Sequence, residues 1–511
     1  MILGRCLPRN ARLFPDKPAI IAPGGKVLTY SQLHDRVNRL ANTFSRCGIR
    51  KGTKLAILGR SSSEYLQAFF AGAVAGAWLV PINFHLKPDD IADRLRHPEA
   101  SALILDAEFV PLLRGLGESA RQSLGERIWL IGESAGEYPS LEQLVSAGAP
   151  QSPDVDIDPE DTLYIGYTSG TTGPPKGALI SHRAVAVGFL YKAIAYGLNE
   201  DDVTLNPGPF WHSAPRDYAQ LALYLGGTCV VTDGFDPGEY LQLVERYQVT
   251  YSFLVPTMHQ ILTSFARSDD YDCSSLRLIL SGGSPLPTVV KERVLRRFGP
   301  ILHEFYGATE TRVVTTISAR ELESKTRSVG RPMRDVEIRA IADDGRVLAP
   351  GEVGEIFIRG PGLFSGYHND PKGTRKTRPG EWFSLGDLGR IDEDGYLYLV
   401  DRKLDMIISG GENIYPNDIE EVVLACAGVK EAAVIGIPDP TWGELVTAIV
   451  VPEDGVRLSA EALVLACGER LPAYMKPRRV VFAEALPRNP VGKILRRVLR
   501  EPYWARQEAK I

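Results

Sequence analysis

Residues 167–177 read YTSGTTGPPKG, and nearly every side chain in that run is a hydroxyl, a glycine, a proline or the single lysine. Such a composition suits a polyphosphate. Glycines let backbone N–H groups approach an anion, the hydroxyls of Thr168, Ser169, Thr171 and Thr172 donate hydrogen bonds, and Lys176 adds a mobile positive charge. The spacing departs from the G-x-x-x-x-G-K-[ST] of the common phosphate loop, because Gly170 and Gly173 stand too close together and Gly177 falls where a magnesium-binding hydroxyl belongs. This weakens a kinase-like reading. On composition alone, a flexible solvated loop is the plain alternative.

Upstream of this run, residues 149–161 (APQSPDVDIDPED) are acidic and proline-containing, so they read as a loop leading into a strand at 163–167. Residues 31–47 place Leu33, Val37, Leu40, Phe44 and Cys47 at spacings of four and three, which predicts an amphipathic helix with Ser31 as N-cap and Gly48 as its stop. The run LAIL at 55–58 reads as a buried strand. A helix over 63–76 then feeds a strand at 77–81, and short apolar runs recur at 228–232 and 276–281. Alternating strands and helices imply largely parallel sheets and an α/β fold. From residue 351 the texture changes to short alternating runs, 355–360 and 395–401, which suit an antiparallel or barrel-like subdomain. After Asp401 a tail of its own helices and strands follows, predicted at 416–426, 431–437 and 459–471. The expected division is therefore residues 1–400 and 401–511.

A chain of 511 residues exceeds what one core usually supports, and 44% hydrophobic with 24% charged residues is ordinary for a globular protein. The net charge of −5 gives no electrostatic reason to expect nucleic acid or an anionic membrane. Six cysteines without a C-x-x-C pair read as reduced thiols of a cytoplasmic protein, and the dispersed histidines offer no zinc pattern. The amino terminus reads as a mature cytoplasmic start. Residues 65–80, YLQAFFAGAVAGAWLV, are the most membrane-like stretch, but they fall short of a span and read as a buried helix running into a strand. The oligomeric state is open, a homodimer included.

The phosphate-suited run resembles the signature of the adenylate-forming superfamily, in its acyl-CoA synthetase and aryl-CoA ligase branch. Further matches follow in order: FYGATE at 305–310, SVGRP at 328–332, GDLGRIDEDGYLYLVDRK at 386–403, SGGENIYP at 409–416 and PRNPVGKILRR at 487–497. The likeness covers essentially the whole chain. It implies a large N-terminal domain of two stacked α/β sheets plus a β-barrel-like subdomain, and a small mobile α+β C-terminal domain with a hinge near 403–405. Leu404 stands where many relatives carry lysine or aspartate, so hinge behaviour does not carry over directly.

The implied chemistry is ATP-dependent activation of a carboxylic acid as an acyl-AMP, then transfer to coenzyme A with release of AMP and pyrophosphate. Thr168, Ser169, Gly170, Thr171, Thr172 and Lys176 would cradle the phosphates. Glu310 would offer Mg²⁺ a hard oxygen and Thr309 would touch the α-phosphate. Phe305, Tyr306 and Gly307 would line the nucleotide, with Tyr306 against the adenine. Asp387 would accept the ribose hydroxyls, beside Arg402. Lys493 would bridge the carboxylate and the α-phosphate. Gly410 and Gly411 would leave room for a pantetheine arm, or serve simply as a turn.

Peptide-synthetase adenylation domains hold the substrate amine with an aspartate in a stretch like residues 210–213. Here that stretch reads FWHS, which disfavours an α-amino acid and makes His212 a candidate shield for the adenylate. Trp211, His212, Ser281, Gly282, Gly283 and Phe305 are expected to form a mostly apolar acid pocket. Fatty, aromatic and alicyclic acids all remain open. Rival readings are an acyl-AMP ligase loading a separate carrier protein, a luciferase-like oxygenase and a non-catalytic nucleotide sensor.

Overall fold

The apolar spacing over residues 31–47 forms a helix, Tyr30–Arg46, but Thr29 rather than Ser31 caps it. The Thr29 hydroxyl accepts from the Gln32 amide while the Gln32 side chain accepts from the Thr29 amide, so a T-x-x-Q box satisfies the first orphan donors. Leu33, Val37, Leu40 and Phe44 are buried, whereas Cys47 at the C-cap is exposed. The membrane-like stretch becomes helix Ser63–Val74, in which every residue from 65 to 73 is buried, followed by strand Trp78–Ile82. A helix apolar all round belongs inside a large core. The computed structural model describes residues 1–168, 176–488 and 493–504, and among them no helix is long and apolar enough to cross a membrane.

Two large sheets carry the N-terminal part. One has seven strands, ordered Gly366–Tyr367, Lys176–Ser181, Thr162–Thr168, Trp78–Ile82, Lys54–Leu58, Ala102–Asp106 and Ile128–Ile131. The other has nine, running from Arg331–Pro332 through Arg312–Ser318, Leu302–Ala308, Leu278–Ser281, Tyr251–Leu254, Val203–Leu205, Thr228–Val230 and Pro18–Ile21 to Val27–Thr29. Their inner strands are parallel, both edges of the nine-stranded sheet are antiparallel, and the seven-stranded sheet has one antiparallel edge at Gly366–Tyr367 and one parallel edge at Ile128–Ile131. One continuous core joins them, taking Ile57 and Leu79 from the first sheet and Phe253 and Leu280 from the second, with helices such as Tyr30–Arg46 and Ser213–Leu225 packed into it. A separate antiparallel sheet of Glu337–Ile341, Gly354–Arg359, Phe383–Ile391 and Leu397–Arg402 follows.

From Ile407 onward the chain builds its own sheet around the long hairpin Val429–Asp439 and Gly443–Pro452, with helices Pro416–Leu424 and Ala460–Arg470. Its hydrophobic clusters draw only on residues after 406. Helix Pro416–Leu424 faces the rest of the molecule through polar contacts. Arg327 reaches Asp418 at 2.6 Å and Glu421 at 3.1 Å, the Thr288 hydroxyl donates to Glu421 at 2.7 Å, and the Asn417 amide donates to Asp401 at 3.2 Å.

Candidate active site

The expected phosphate loop closes a hairpin. Strand Thr162–Thr168 pairs antiparallel with Lys176–Ser181, and Thr168 lies directly opposite Lys176. Ser169, Gly170, Thr171 and Thr172 lie outside the described residues. Lys176 Nζ sits 4.9 Å from the centre of the Tyr367 ring. Tyr367 in turn donates its hydroxyl to Glu310 Oε1 at 3.2 Å, and Thr168 donates to the same oxygen at 3.2 Å. Gly166 on the loop's first strand makes room for Thr309, since a Cβ there would stand 2.6 Å from Thr309 Cγ2. Thr309 and Ser213 hydroxyls lie 3.3 Å apart, which brings the 305–310 stretch beside His212.

Glu310 is buried, and that burial raises its pKa; donors from its own backbone, Tyr367 and Thr168 work the other way. A carboxylate so placed gains from a cation. Among the described residues no group of three or more His, Cys, Asp or Glu side chains gathers to cage a metal. The Glu310 carboxylate with the Thr168 hydroxyl beside it offers hard oxygens of the kind that Mg²⁺ takes, and these residues would hold it. When bound, Mg²⁺ would neutralise charge on the phosphates.

A second cluster forms on the antiparallel sheet. Asp387 and Arg402 are cross-strand partners, with Arg402 Nε 3.4 Å from Asp387 Oδ1. The Tyr306 hydroxyl donates to Asp387 Oδ2 at 2.6 Å. Burial, then Asp387, holds the Tyr306 pKa well above its usual value, so Tyr306 remains a donor. Gly307 follows at a bulge where a Cβ would collide with the Arg312 carbonyl. Lys493, from the tail, lies within the electrostatic field of Arg402 and Asp387. Burial and then Arg402 lower its pKa to about 8, against the opposing pull of Asp387 and Asp405. Three stretches far apart in sequence, at Tyr306, at Asp387 and Arg402, and at Lys493, are thus close enough to act on one another.

His212 is the N-cap residue of helix Ser213–Leu225, and its ring meets Trp211 edge-on at 5.9 Å. Burial and then Arg216 lower its pKa to about 4, so it is neutral near pH 7. Ser281 ends its strand and is buried. Gly282 does not leave an open volume: a Cβ there would stand 2.6 Å from the Phe305 ring, so Phe305 fills the space. Gly283 has φ +89° with nothing near its missing Cβ.

Gly410 and Gly411 form the two-residue turn of hairpin Ile407–Ser409 and Glu412–Ile414, with φ of 62° and 85°. Both central residues in the left-handed region match a type I′ turn, which gives these glycines a backbone reason of their own. A Cβ on Gly410 would also strike Trp442 at 2.9 Å. Tyr367, Ser213 and Gly166 were not among the expected site residues. Each acts through a partner distant in sequence, and only adjacency to a motif could have suggested Ser213 and Gly166.

Two family models match successive parts of the chain. Residues 7–368 match the AMP-binding enzyme family and residues 418–493 match the AMP-binding enzyme C-terminal domain. The chain belongs to the AMP-binding enzyme family. Among its relatives is a feruloyl-CoA synthase of Amycolatopsis sp, 37% identical over 98% of this chain and 99% of that protein. The long-chain-fatty-acid–CoA ligase FadD13 of Mycobacterium tuberculosis is 34% identical over 98% and 99%. The anthranilate CoA ligase AuaEII, solved with anthranoyl-AMP, superposes with a TM-score of 0.91 at 27% identity, covering 98% of this chain and 97% of that one. Membership in the AMP-binding family accounts for the mixed α/β architecture with its smaller C-terminal unit.

Proposed function

We propose that this chain activates a hydrophobic carboxylic acid, fatty, aromatic or alicyclic, with ATP and passes the acyl group to coenzyme A. It is an AMP-forming acid–thiol ligase. The acid's carboxylate oxygen attacks the α-phosphate of ATP, the bond to the β-phosphate oxygen breaks, and pyrophosphate leaves. The thiol of CoA then attacks the acyl carbonyl, the bond to AMP breaks, and the thiol proton is released. The observation that supports this reading is that a partly buried Lys493 from the tail feels the charges of Arg402 and Asp387, while Asp387 is held by Arg402 and by the Tyr306 hydroxyl.

In this reading Asp387 orients the ribose, with Tyr306 holding its second oxygen. Thr168 and Lys176, with Ser169, Gly170, Thr171 and Thr172 between them, take the outer phosphates. Lys493 offsets the charge that gathers at the α-phosphate as the bond forms, which requires donors already in place rather than acid–base transfer. A neutral His212 shields the mixed anhydride from water without adding a competing cation. The first half-reaction needs Lys493 at the site and the second needs the adenylate exposed to a thiol, so residues 401–511 would turn about a hinge near 403–405. The six cysteines are unpaired, which suits a reducing, cytoplasmic setting.

A panel of acids incubated with ATP, Mg²⁺ and CoA tests this, read by AMP release and mass spectrometry of the thioester. ADP with orthophosphate in place of AMP with pyrophosphate would overturn the adenylation route. A carrier protein accepted where CoA is not would move the acceptor.

A further inference from the structure

Thr309, Glu310 and Thr311 make the turn between strands Leu302–Ala308 and Arg312–Ser318, with Ala308 opposite Arg312. The Thr311 hydroxyl tightens it, accepting from the Ala308 amide at 2.9 Å and donating to the Arg312 carbonyl at 3.1 Å. Arg312 closes this turn with a φ of 61°, a left-handed conformation that glycine adopts freely and a long side chain does not. The cost of keeping an arginine there must be offset by what its side chain holds.

That side chain holds two other elements. Arg312 Nη1 donates to the Tyr164 hydroxyl at 2.8 Å, and Arg312 Nη2 pairs with Asp217, the two charged side chains being 3% and 6% exposed. Tyr164 stands on strand Thr162–Thr168, which leads into the phosphate-suited run, and Asp217 on helix Ser213–Leu225, which His212 precedes as N-cap. Those same two elements meet the turn again at its tip: Thr168 donates to Glu310, and the Ser213 hydroxyl lies 3.3 Å from that of Thr309. Each element is thus tied to the turn at both tip and base. The tip contacts are single bonds from hydroxyls, whereas the base is a buried ion pair plus a bond to a buried phenol, and charge-assisted contacts of that kind fix geometry more firmly.

We infer that Arg312 is a positioning residue, whose guanidinium sets Thr309 and Glu310 at fixed places relative to the phosphate strand and to the helix that His212 caps. This rests on the adenylation proposed above. The role is exercised through the turn and not by contact with the reacting atoms. When Arg312 is replaced, Asp217 still has Lys192 Nζ at 3.5 Å, so its carboxylate is not left alone in the core.

The test compares Arg312→Gly, Arg312→Gln and Tyr164→Phe with the wild type by melting temperature, by ATP–pyrophosphate exchange over a Mg²⁺ titration, and by calorimetric binding of ATP with Mg²⁺. Glycine relaxes the backbone at this position and glutamine does not, so Arg312→Gly should melt higher than Arg312→Gln. Both should nevertheless lose about 10- to 100-fold in kcat/KM for ATP, the scale of a misplacement of about 1 Å. Both should also need more Mg²⁺ for half-maximal exchange and bind Mg²⁺·ATP more weakly. Tyr164→Phe, which removes one bond to Arg312, should shift the magnesium titration the same way by about twofold or more. A folded Arg312→Gly enzyme whose exchange and magnesium dependence stay within about twofold of wild type, far short of the cost of a misplaced site, would overturn the inference. So would losses that merely follow the melting temperature from glycine to glutamine. If both Arg312 variants fail to fold, an unchanged magnesium titration in Tyr164→Phe overturns it instead. Failure of the underlying adenylation is distinguishable: the wild type itself would show no exchange with any acid, and calorimetry of Mg²⁺·ATP on the same variants would still decide the role of Arg312.

Discussion

Replacing Tyr306 by phenylalanine separates two roles that the same ring could play. An aromatic face packed on adenine survives the change, whereas the hydroxyl bond to Asp387 does not. That bond is 2.6 Å long, the length of a charge-assisted bond from a hydroxyl to a carboxylate, and it lies in a buried setting. Hydrogen bonds to charged groups contribute about 1.5–3 kcal/mol, so Tyr306→Phe should lower kcat/KM for ATP by about 10- to 150-fold if Asp387 must be held to receive the ribose. Arg402, 3.4 Å away on the other carboxylate oxygen, is too loosely placed to compensate. The assay is ATP–pyrophosphate exchange with a saturating acid, run with ATP and with its 2′- and 3′-deoxy analogues. Wild-type discrimination against the deoxy analogues should shrink in the variant. A folded Tyr306→Phe enzyme using ATP within about twofold of wild type, well below the loss that such a bond implies, would refute the orienting role and leave only ring packing.

The Lys493 pKa near 8 means that the cation is present below that pH and is lost above it, so adenylate formation should decline with a limb beginning near pH 8, while Lys493→Arg should stay flat there in pyrophosphate exchange. Lys493→Ala should cost about 10²- to 10³-fold in adenylation yet spare thioester formation from supplied acyl-AMP, and equal loss in both would refute the two-step assignment. Glu310→Gln should raise the Mg²⁺ concentration needed for half-maximal adenylation, and an unchanged magnesium titration would remove Glu310 from the metal's surroundings. Arg327→Ala loosens helix Pro416–Leu424 through partly exposed ion pairs to Asp418 and Glu421. Such pairs contribute at most about 1 kcal/mol, so adenylation should fall only about two- to fivefold, with thiolation from supplied acyl-AMP unchanged.

Local signals made much of this molecule readable before its structure. The run at residues 167–177 and the FYGATE stretch carry their chemistry within a few residues, and the helix at Tyr30–Arg46 follows its apolar spacing. Its start was misplaced because serine is a common cap, whereas Thr29 wins through its reciprocal bonds with Gln32. The harder features depend on partners far away in the chain. Glu310 accepts from Tyr367 and Tyr306 donates to Asp387, contacts between segments about 57 and 81 positions apart that no spacing rule links. Gly282 shows the same limit from the other side. A missing Cβ announces free volume, but sequence alone does not say that Phe305, beyond the next helix, occupies it.

Glu310 and Lys493 meet opposite penalties at one site. Burial opposes the negative charge of the first and the positive charge of the second. In the proposed reaction each charge would be restored by what the substrate brings, a metal cation for the carboxylate and phosphate oxygens for the ammonium. They also belong to different parts of the chain, for Glu310 lies in the large N-terminal part and Lys493 in the tail. Binding of metal–nucleotide would therefore favour the placement in which the tail delivers Lys493, since a ligand shifts an equilibrium by its preference for one arrangement. Pyrophosphate then carries away most of the negative charge. What remains would hold the lysine less strongly, while the contacts of Arg327 with Asp418 and Glu421 and of Thr288 with Glu421 are individually weak enough to part. Departure of the leaving group would thus loosen the tail at the moment when the adenylate must be opened to a thiol, so the order of the two half-reactions would follow from charge rather than from a separate trigger.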